Sequence, residues 1–212
     1  MLDFGDLRRL EPVSRDWGFD RGRPIDRYYI ERFLEARSSA IRGRVLEIGE
    51  SLYTGMFGGG RVTQSEILDV MGNPDATYTC GLEEGDELPA DCFDCIVVTQ
   101  TLQYIYDLHA ALRTLQRILK GGGTLLATVP GITRLNQQNP QEQGWYWSFT
   151  GVSITALFSE LFARDALDVE VFGNVLSATA FLYGLAESEL ASEELDHLDP
   201  NYQVIIGVHA VK

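Results

Sequence analysis

The stretch Arg44-Val45-Leu46-Glu47-Ile48-Gly49-Glu50-Ser51 decides how the rest of the chain is interpreted. A short apolar run ends in an acidic residue, an apolar residue and a glycine, and polar residues follow at once. This pattern is typical of a buried parallel strand whose carboxyl end opens into a ligand-binding turn. Glu47 and Gly49 are therefore the first candidates for a site.

A second apolar run, residues 67–70, contains Asp69, which follows Gly49 by twenty positions. In nucleotide-binding β-α-β units, an acidic residue at about this spacing accepts hydrogen bonds from ribose hydroxyls. The connection over residues 52–62 has room for about one helical turn, so a short first crossover is expected. Its glycines, Gly58-Gly59-Gly60, lack the Lys-Ser/Thr ending of a phosphate loop, which argues against a nucleoside-triphosphate site.

Length and composition predict one globular domain. The 212 residues are 45% apolar and 23% charged, which is ordinary for such a domain. We expect a lid or helical extension over residues 1–40 and the core over residues 41–212. No apolar run reaches the length of a membrane helix, and the N-terminus does not begin like a signal peptide. A cytoplasmic location without a membrane span is expected.

Charge is unevenly distributed along the chain. Residues 1–44 carry ten arginines and eight acidic residues, whereas the rest carries seven basic and 23 acidic residues. With a net charge of −14, the chain would be repelled by a nucleic-acid backbone, so no nucleic-acid partner is expected. The N-terminal arginines are the best partners for an anionic substrate group. Lysine occurs only at Lys120 and Lys212, which disfavours Schiff-base chemistry.

Three cysteines, Cys80, Cys92 and Cys95, raise the question of zinc or redox chemistry. Cys92 and Cys95 form a CxxC motif, but no second CxxC or histidine cluster supplies further ligands. Cys95 also lies within a predicted buried strand. We expect reduced, structural cysteines and no metal site.

The remaining chain predicts strands that alternate with helices. Asp26 is expected to cap one helix and Asp107 another, with an apolar stripe after Asp107 that fits one helix face. Further strands are expected at residues 76–80, 93–99, 124–129, 167–172 and 202–211. This alternation indicates an α/β protein with a mostly parallel sheet covered on both faces.

At this point the motifs, taken in order, resemble the class I S-adenosylmethionine-dependent methyltransferases. The matching pieces cover about residues 40–165 and are VLEIG, EILDV, FDCIVVTQTLQYIYD, LRTLQRILKGGGTLLATVPG and WYWSFT. The resemblance implies a Rossmann-like three-layer sandwich with a seven-stranded sheet, whose last strand is antiparallel. It also implies S-adenosylmethionine as cofactor, bound across the carboxyl ends of the first strands.

Carried over by position, the resemblance assigns a cofactor-binding role to eight residues. Glu47 would lie near the methionine amino group, Gly49 would let the backbone approach the cofactor, and Asp69 would bind the ribose. The others are Glu50, Ser51, Gln100, Thr101 and Leu102. Two positions depart from the family pattern: Ser51 replaces its second glycine, and Gly81 stands where an acidic residue often reads the adenine. Glu83 is a possible substitute for that acid.

The methyl acceptor is the least determined feature. Weak candidates for its pocket are Tyr28, Tyr29, Gln103, Tyr104, Trp145 and Trp147, and His109 is a weak candidate for a general base. The segment over residues 21–29 is read either as a solvated helix start or as a lid whose polar tips reach a ligand. The RGRPIDRYYI opening is similar to methyltransferase-like proteins associated with bacterial cell-surface glycans.

Three functions stay open from the sequence. The first is a methyltransferase acting on a small-molecule or glycan-type acceptor, with transfer to oxygen. The second is a degenerate methyltransferase-like interaction or scaffold protein that binds the cofactor weakly or not at all. The third is a nicotinamide-dependent oxidoreductase, which is disfavoured because Gly49 is not part of a G-x-G-x-x-G turn.

Overall fold

The computed structural model describes residues 5–136 and 144–212, which are organised around one mixed sheet. Its strands are β1 (Gly43–Ile48), β2 (Val62–Leu68), β3 (Phe93–Thr99), β4 (Leu119–Pro130), β5 (Leu167–Phe172) and β6 (Ile205–Val211). Their order is β2-β1-β3-β4-β6-β5. The first four strands are parallel, and β6 runs antiparallel to both β4 and β5. The predicted Rossmann-like α/β class and the antiparallel last strand are confirmed.

The strand expected at residues 76–80 is reduced to a single bridge, so the described sheet has six strands rather than seven. Tyr78 forms one isolated parallel bridge with Leu68. Its backbone N–H donates to the Ile67 carbonyl at 3.0 Å, and its carbonyl accepts from the Asp69 N–H at 3.0 Å. Turn-forming residues stand on both sides of this segment, at residues 73–74 and at 81, which leaves little room for a longer ladder.

Five helices cover the two faces of the sheet. They are α1 (Ile25–Ala36), α2 (Leu108–Ile118), α3 (Gly151–Phe158), α4 (Val175–Leu182) and α5 (Ser192–Asp196). Alternate strand residues face opposite layers, as the pleat requires. Leu46 and Ile96 pack with α2 and α3, whereas Val45 and Cys95 pack with α1, α4 and α5. The three-layer arrangement is confirmed.

Helix α1 belongs to the core, although the sequence placed it in a lid or extension. Tyr29 and Phe33 are fully buried on the sheet face. The helix begins after Pro24, which occupies the N-cap position, and Asp26 lies in its first turn. The prediction of Asp26 as N-cap was wrong, because Pro24 already ends the extended chain two residues earlier than expected. The Asp26 Oδ1 accepts instead from the adjacent Arg27 N–H at 2.8 Å.

Two other local predictions are confirmed. Asp107 caps α2, since its Oδ1 accepts from the Ala110 N–H at 2.9 Å. The first crossover contains a short π-helical segment, Thr54–Gly58, and a 3₁₀ turn, Gly59–Arg61, in place of a regular α-helix. The crossover therefore leaves the carboxyl end of β1 close to the entry of β2.

The three cysteines are free thiols. Cys92 and Cys95 pack in opposite core layers, and burial raises the pKa of Cys95 to about 12. The CxxC motif is thus part of the core packing. Within the described ranges there is no group of three or more His, Cys, Asp or Glu side chains suited to holding a metal. None of the helices described there is long and apolar enough to cross a membrane.

Candidate cofactor and acceptor site

The carboxyl ends of β1, β2 and β3 meet at one edge of the sheet. Glu47 in β1 lies beside Val97 in β3, and the Gly49 N–H donates to the Leu68 carbonyl at 2.9 Å. Because these strands are parallel, the residues that follow each of them are brought to the same edge. Gly49 and Asp69, twenty residues apart in sequence, lie together on one cavity.

This Asp69 cavity has a volume of about 320 Å³. Its lining combines polar groups at the strand ends with apolar residues from the loops after β2 and β3: Asp69, Glu83, Thr101, Val70, Leu82 and Ile105. A carboxylate on one side and apolar walls on the other suit a ligand with both a hydroxylated part and a flat apolar part.

Backbone amides hold the Asp69 side chain. Its Oδ2 accepts from the Met71 N–H at 2.8 Å and from the Asn73 N–H at 2.9 Å. The Asn73 amide in turn donates to the Gly49 carbonyl at 2.7 Å. The loop after β2 is therefore tied to the turn after β1, which fixes the two residues of this cavity relative to each other.

The structure answers where Glu83 lies, which the sequence left open. Gly81 and Glu83 both line the Asp69 cavity. The Glu83 Oε1 accepts from the Asp107 N–H at 2.7 Å, so the start of α2 orients this carboxylate. A carboxylate is thus present two residues beyond the position at which the family pattern would have one.

A second cavity, the Glu47 cavity, has a volume of about 380 Å³. Its polar lining comes from four segments and includes Glu47, Glu50, Arg27, Tyr53, Asn73 and Gln100. Ile48, Gly49, Thr99 and Gln100 line both this cavity and the Asp69 cavity. The two cavities therefore adjoin across the ends of β1 and β3 and form one crevice.

Glu47 organises the turn beneath this crevice. The residue is 1% exposed, and its two carboxylate oxygens accept from the N–H groups of Tyr53 at 2.9 Å and Thr54 at 2.7 Å. Burial raises the pKa of Glu47 despite these hydrogen bonds. The Glu47 carboxylate thus fixes the start of the short first crossover by accepting from two of its backbone N–H groups.

The backbone over the crevice is open at Gly49 and unusual at Gln100. Gly49 has a φ of +88°, and a Cβ built there meets no atom within 4 Å, so a ligand can approach the main chain directly. Gln100 adopts a φ of +49°, which is uncommon for a residue with a side chain. Its N–H donates to the Thr128 carbonyl at 2.9 Å, which fixes that conformation.

A third, smaller cavity of about 130 Å³, the Trp145 cavity, adjoins the crevice. Arg27 and Gln100 line both this cavity and the Glu47 cavity. Five of its twelve lining residues are aromatic, and its polar lining includes Asp26 and Gln103. Sequence reasoning missed Trp17, Phe19, Asp26 and Phe181 as site residues. Asp26 and Arg27 belong to the segment over residues 21–29, whose polar side chains the sequence analysis assigned either to a solvated helix start or to a lid.

Several predicted site residues lie elsewhere. Leu102 is fully buried in the core, and Tyr29 is buried with its hydroxyl donating to the Leu195 carbonyl at 3.0 Å. Ser51 lies on a separate surface depression with the turn residues of the first crossover. The side chains of Leu102 and Tyr29 face the core, and that of Ser51 faces a different part of the surface. None of the three therefore lines the crevice.

The remaining acceptor candidates divide in the same way. Gln103 and Tyr104 line the Trp145 cavity. Tyr28 is on an outer surface and donates to Asp196 at 2.5 Å, and the Trp147 indole donates to the Ile105 carbonyl at 2.8 Å while its ring packs on Tyr106. Neither Tyr28 nor Trp147 lines the three cavities.

His109 lies on the exposed side of α2. Its Nδ1 is 3.1 Å from the Glu160 Oε2, and both side chains are 56% exposed. The imidazole lines none of the three cavities. It is therefore poorly located for a general base.

Comparisons with known proteins agree with this geometry. The family described as "Methyltransferase domain" matches residues 61–161. A solved S-adenosylmethionine-dependent methyltransferase from Archaeoglobus fulgidus superposes with a TM-score of 0.58 at 14% identity, over 87% of this chain and 94% of that one. This family match covers just under half of the chain, and together with the shared fold it supports a class I S-adenosylmethionine-dependent methyltransferase.

Two further similar proteins carry more specific names. The Burkholderia thailandensis 1,6-didemethyltoxoflavin-N1-methyltransferase, solved with that substrate and S-adenosylhomocysteine, has a TM-score of 0.57 at 14% identity over 93% of this chain and 81% of that one. The mouse mitochondrial ubiquinone biosynthesis O-methyltransferase is 32% identical over 57 residues, which are 27% of this chain and 15% of the mouse protein. The match thus spans less than a sixth of the mouse protein's length.

The crevice fits S-adenosylmethionine, with which one structural neighbour was solved. A nucleoside needs close approach to the main chain, which the open position over Gly49 allows. It also needs an acceptor for its ribose hydroxyls, which Asp69 offers at the same cavity. The adjoining Glu47 cavity supplies carboxylates and the Arg27 guanidinium for a charged amino-acid end.

Proposed function

We propose that this protein transfers a methyl group from S-adenosylmethionine to a small-molecule or glycan-type acceptor, at an oxygen atom. The observation that supports this most is the continuity of the three cavities. The crevice at the ends of β1, β2 and β3 adjoins the aromatic Trp145 cavity through Arg27 and Gln100. A donor site and an acceptor site must adjoin for an in-line transfer.

In this proposal the Asp69 cavity receives the adenosyl part and the Glu47 cavity the methionine part. Asp69 accepts from the ribose hydroxyls, and Glu83 lies within reach of the base end of the same cavity. Arg27 pairs with the carboxylate of the amino-acid end, and Glu50 or Glu47 faces its amino group. When bound, the cofactor supplies an electrophilic methyl carbon, whose bond to sulfur breaks as the acceptor oxygen bonds to it, with the electron pair passing to sulfur.

The choice of oxygen and of a small acceptor has two supports. The curated match with a named O-methyltransferase covers one segment of this chain, and one structural relative was solved with a small heterocycle as substrate. The Trp145 cavity, at about 130 Å³, accommodates one ring or a similar compact group. The displaced Ser51 does not weaken the proposal, because the side chain at this position lies outside the crevice.

Calorimetric titration with S-adenosylmethionine, S-adenosylhomocysteine and NAD tests this function. We expect the first two to bind and NAD not to bind. Asp69→Asn keeps an oxygen for the loop amides but removes the charge, and it should weaken S-adenosylhomocysteine binding by about 10- to 30-fold, as expected for loss of a charged hydrogen-bond acceptor.

The matched control is Asp165→Asn, which removes an exposed carboxylate from the turn before β5. Its affinity should equal that of the unmodified protein. If neither S-adenosyl compound binds, the scaffold interpretation is correct, and if NAD alone binds, the protein is a nicotinamide-dependent enzyme. An unchanged affinity in Asp69→Asn removes Asp69 from the binding site.

A further inference from the structure

The Trp145 cavity is built from aromatic side chains of four separate parts of the chain. Trp17 and Phe19 come from the N-terminal segment, Tyr104 from the turn after β3, Trp145 from the connection after β4, and Phe181 from α4. An apolar cavity of roughly 150 Å³ binds benzene in other proteins, so the volume of about 130 Å³ suits a single planar ring. Aromatic walls favour a ring that can stack or make edge contacts.

One polar atom at this cavity has no hydrogen-bond partner among residues 5–136 and 144–212. Gln103 is 1% exposed, and its Nε2 donates to the Gln100 carbonyl at 2.8 Å. That hydrogen bond fixes the orientation of the amide, while its Oε1 is buried without a hydrogen-bond donor. A buried carbonyl oxygen without a donor is destabilising, and a ligand hydroxyl that donates to it removes that penalty.

A carboxylate lines the same cavity. Asp26, in the first turn of α1, contributes to its wall together with Arg27. The Arg27 guanidinium is directed toward Tyr53, whose hydroxyl accepts from the Arg27 Nη1 at 2.6 Å. Burial is the main reason why the pKa of Asp26 is raised to about 6, with Glu31 adding to the rise and Arg27 opposing it. A carboxylate of this strength is suited to accept a proton near neutral pH.

We infer that the Trp145 cavity is the acceptor site for a compact hydroxylated aromatic ring, and that Asp26 accepts the proton of the reacting hydroxyl. This inference rests on the proposed function. As the hydroxyl oxygen forms its bond to the methyl carbon and the carbon–sulfur bond breaks, the O–H bond also breaks and its proton passes to the Asp26 carboxylate. Gln103 holds a second hydroxyl and so positions the ring.

The binding part is tested on the cofactor-free protein, by tryptophan fluorescence and calorimetry. Trp17 and Trp145 report on the cavity directly. Catechol should bind saturably, and veratrole, its dimethyl ether, should bind about tenfold more weakly because it cannot donate to Gln103. Glucose should not bind. Binding of glucose without binding of catechol would overturn the aromatic-ring assignment, as would equal binding of catechol and veratrole.

Two variants separate the roles of the two side chains. Gln103→Leu should abolish the preference for catechol over veratrole. The matched control is Gln116→Leu, which should keep this preference. Gln116 lies on α2, donates to the Leu161 carbonyl and lines none of the three cavities. Asp26→Asn should bind catechol within about threefold of the unmodified protein but lower its methylation by about 100-fold, the usual contribution of a general base.

S-adenosylhomocysteine affinity, measured in parallel, distinguishes the two possible failures. If it binds normally and Asp26→Asn still methylates catechol at the full rate, the proton-acceptor role is wrong while the proposed function stands. If it fails to bind to the unmodified protein, the proposed function is wrong, and the catechol titration alone decides whether the cavity takes a hydroxylated ring.

Discussion

Two charged regions of this protein contrast in how their charges are satisfied. In the first, an ion-pair cluster, arginines around the start of α1 meet carboxylates of residues 187–196, in the pairs Arg21–Glu189, Arg23–Glu187 and Arg32–Asp196. In the second, the crevice, Asp69 and Glu47 are each held by two backbone N–H groups. The ion pairs hold distant chain segments together, whereas the backbone amides fix the two crevice carboxylates within the turns and loops that follow β1 and β2.

The contrast corrects one expectation from the sequence. The N-terminal arginines were expected to serve an anionic substrate group. Instead, Arg21, Arg23 and Arg32 pair with carboxylates of residues 187–196. Arg27 is the arginine of this stretch that lines the crevice and the Trp145 cavity.

The largest change in cofactor affinity is expected from adding a side chain at Gly49, where the crevice is open to the main chain. In Gly49→Ala, the new methyl group would stand over the open main chain, at a φ of +88°. Affinity for S-adenosylhomocysteine should fall more than about 100-fold, because the cofactor can no longer approach the backbone. Calorimetric titration measures this change.

Gly59→Ala is the matched control, since Gly59 also has a positive φ and open space around it but lines none of the three cavities. Both variants should lose a similar free energy of unfolding, about 1 kcal/mol, from backbone strain. Equal loss of affinity in both variants would show that strain, rather than access to the crevice, governs binding.

The second effect concerns Asp26, which within the described part of the chain has no ion pair and accepts from a single backbone N–H, that of Arg27. Its pKa is raised from 3.8 to about 6, so the folded state binds a proton more tightly than the unfolded state between these pH values. The free energy of unfolding therefore falls as pH rises through this window. Asp26→Asn removes this loss.

The difference in unfolding free energy between Asp26→Asn and the unmodified protein should be small at pH 4 and reach about 2 kcal/mol in favour of the variant at pH 7.5, after allowance for partial exposure. Urea unfolding at both pH values measures it. If the difference were independent of pH, Asp26 would titrate like an ordinary aspartate. Its ionisation would then not lower the free energy of unfolding at neutral pH.

The smallest effect is expected in the ion-pair cluster. Arg23→Ala removes contacts with Glu187 and Glu31, and partly exposed pairs contribute at most about 1 kcal/mol each. The loss should shrink in 1 M NaCl because salt screens such pairs. S-adenosylhomocysteine affinity should not change. A loss of affinity would couple the cluster to the crevice and so remove the distinction between the two regions.

Much of the framework could be predicted because it depends on local pattern. The run from Val45 to Gly49 predicts a buried strand and its turn, and Asp107 with the following apolar stripe predicts α2. The spacing from Gly49 to Asp69 predicts their approach, because two adjacent parallel strands must end at the same edge. The strand expected around Tyr78 shortened to one bridge since its few extended residues lie between turn-forming residues at the sheet edge.

The sequence by itself determined the layered α/β fold, the buried turn around Glu47 and the meeting of Gly49 with Asp69, because strand periodicity and parallel connection are local rules. Only the tertiary structure decided which arginines are neutralised, that Leu102 and Tyr29 are buried, and that Asp26, Gln103 and Trp145 share one cavity. Those outcomes depend on how α1, α4 and the strand ends pack, and contacts between segments distant along the chain leave no periodic signal in it.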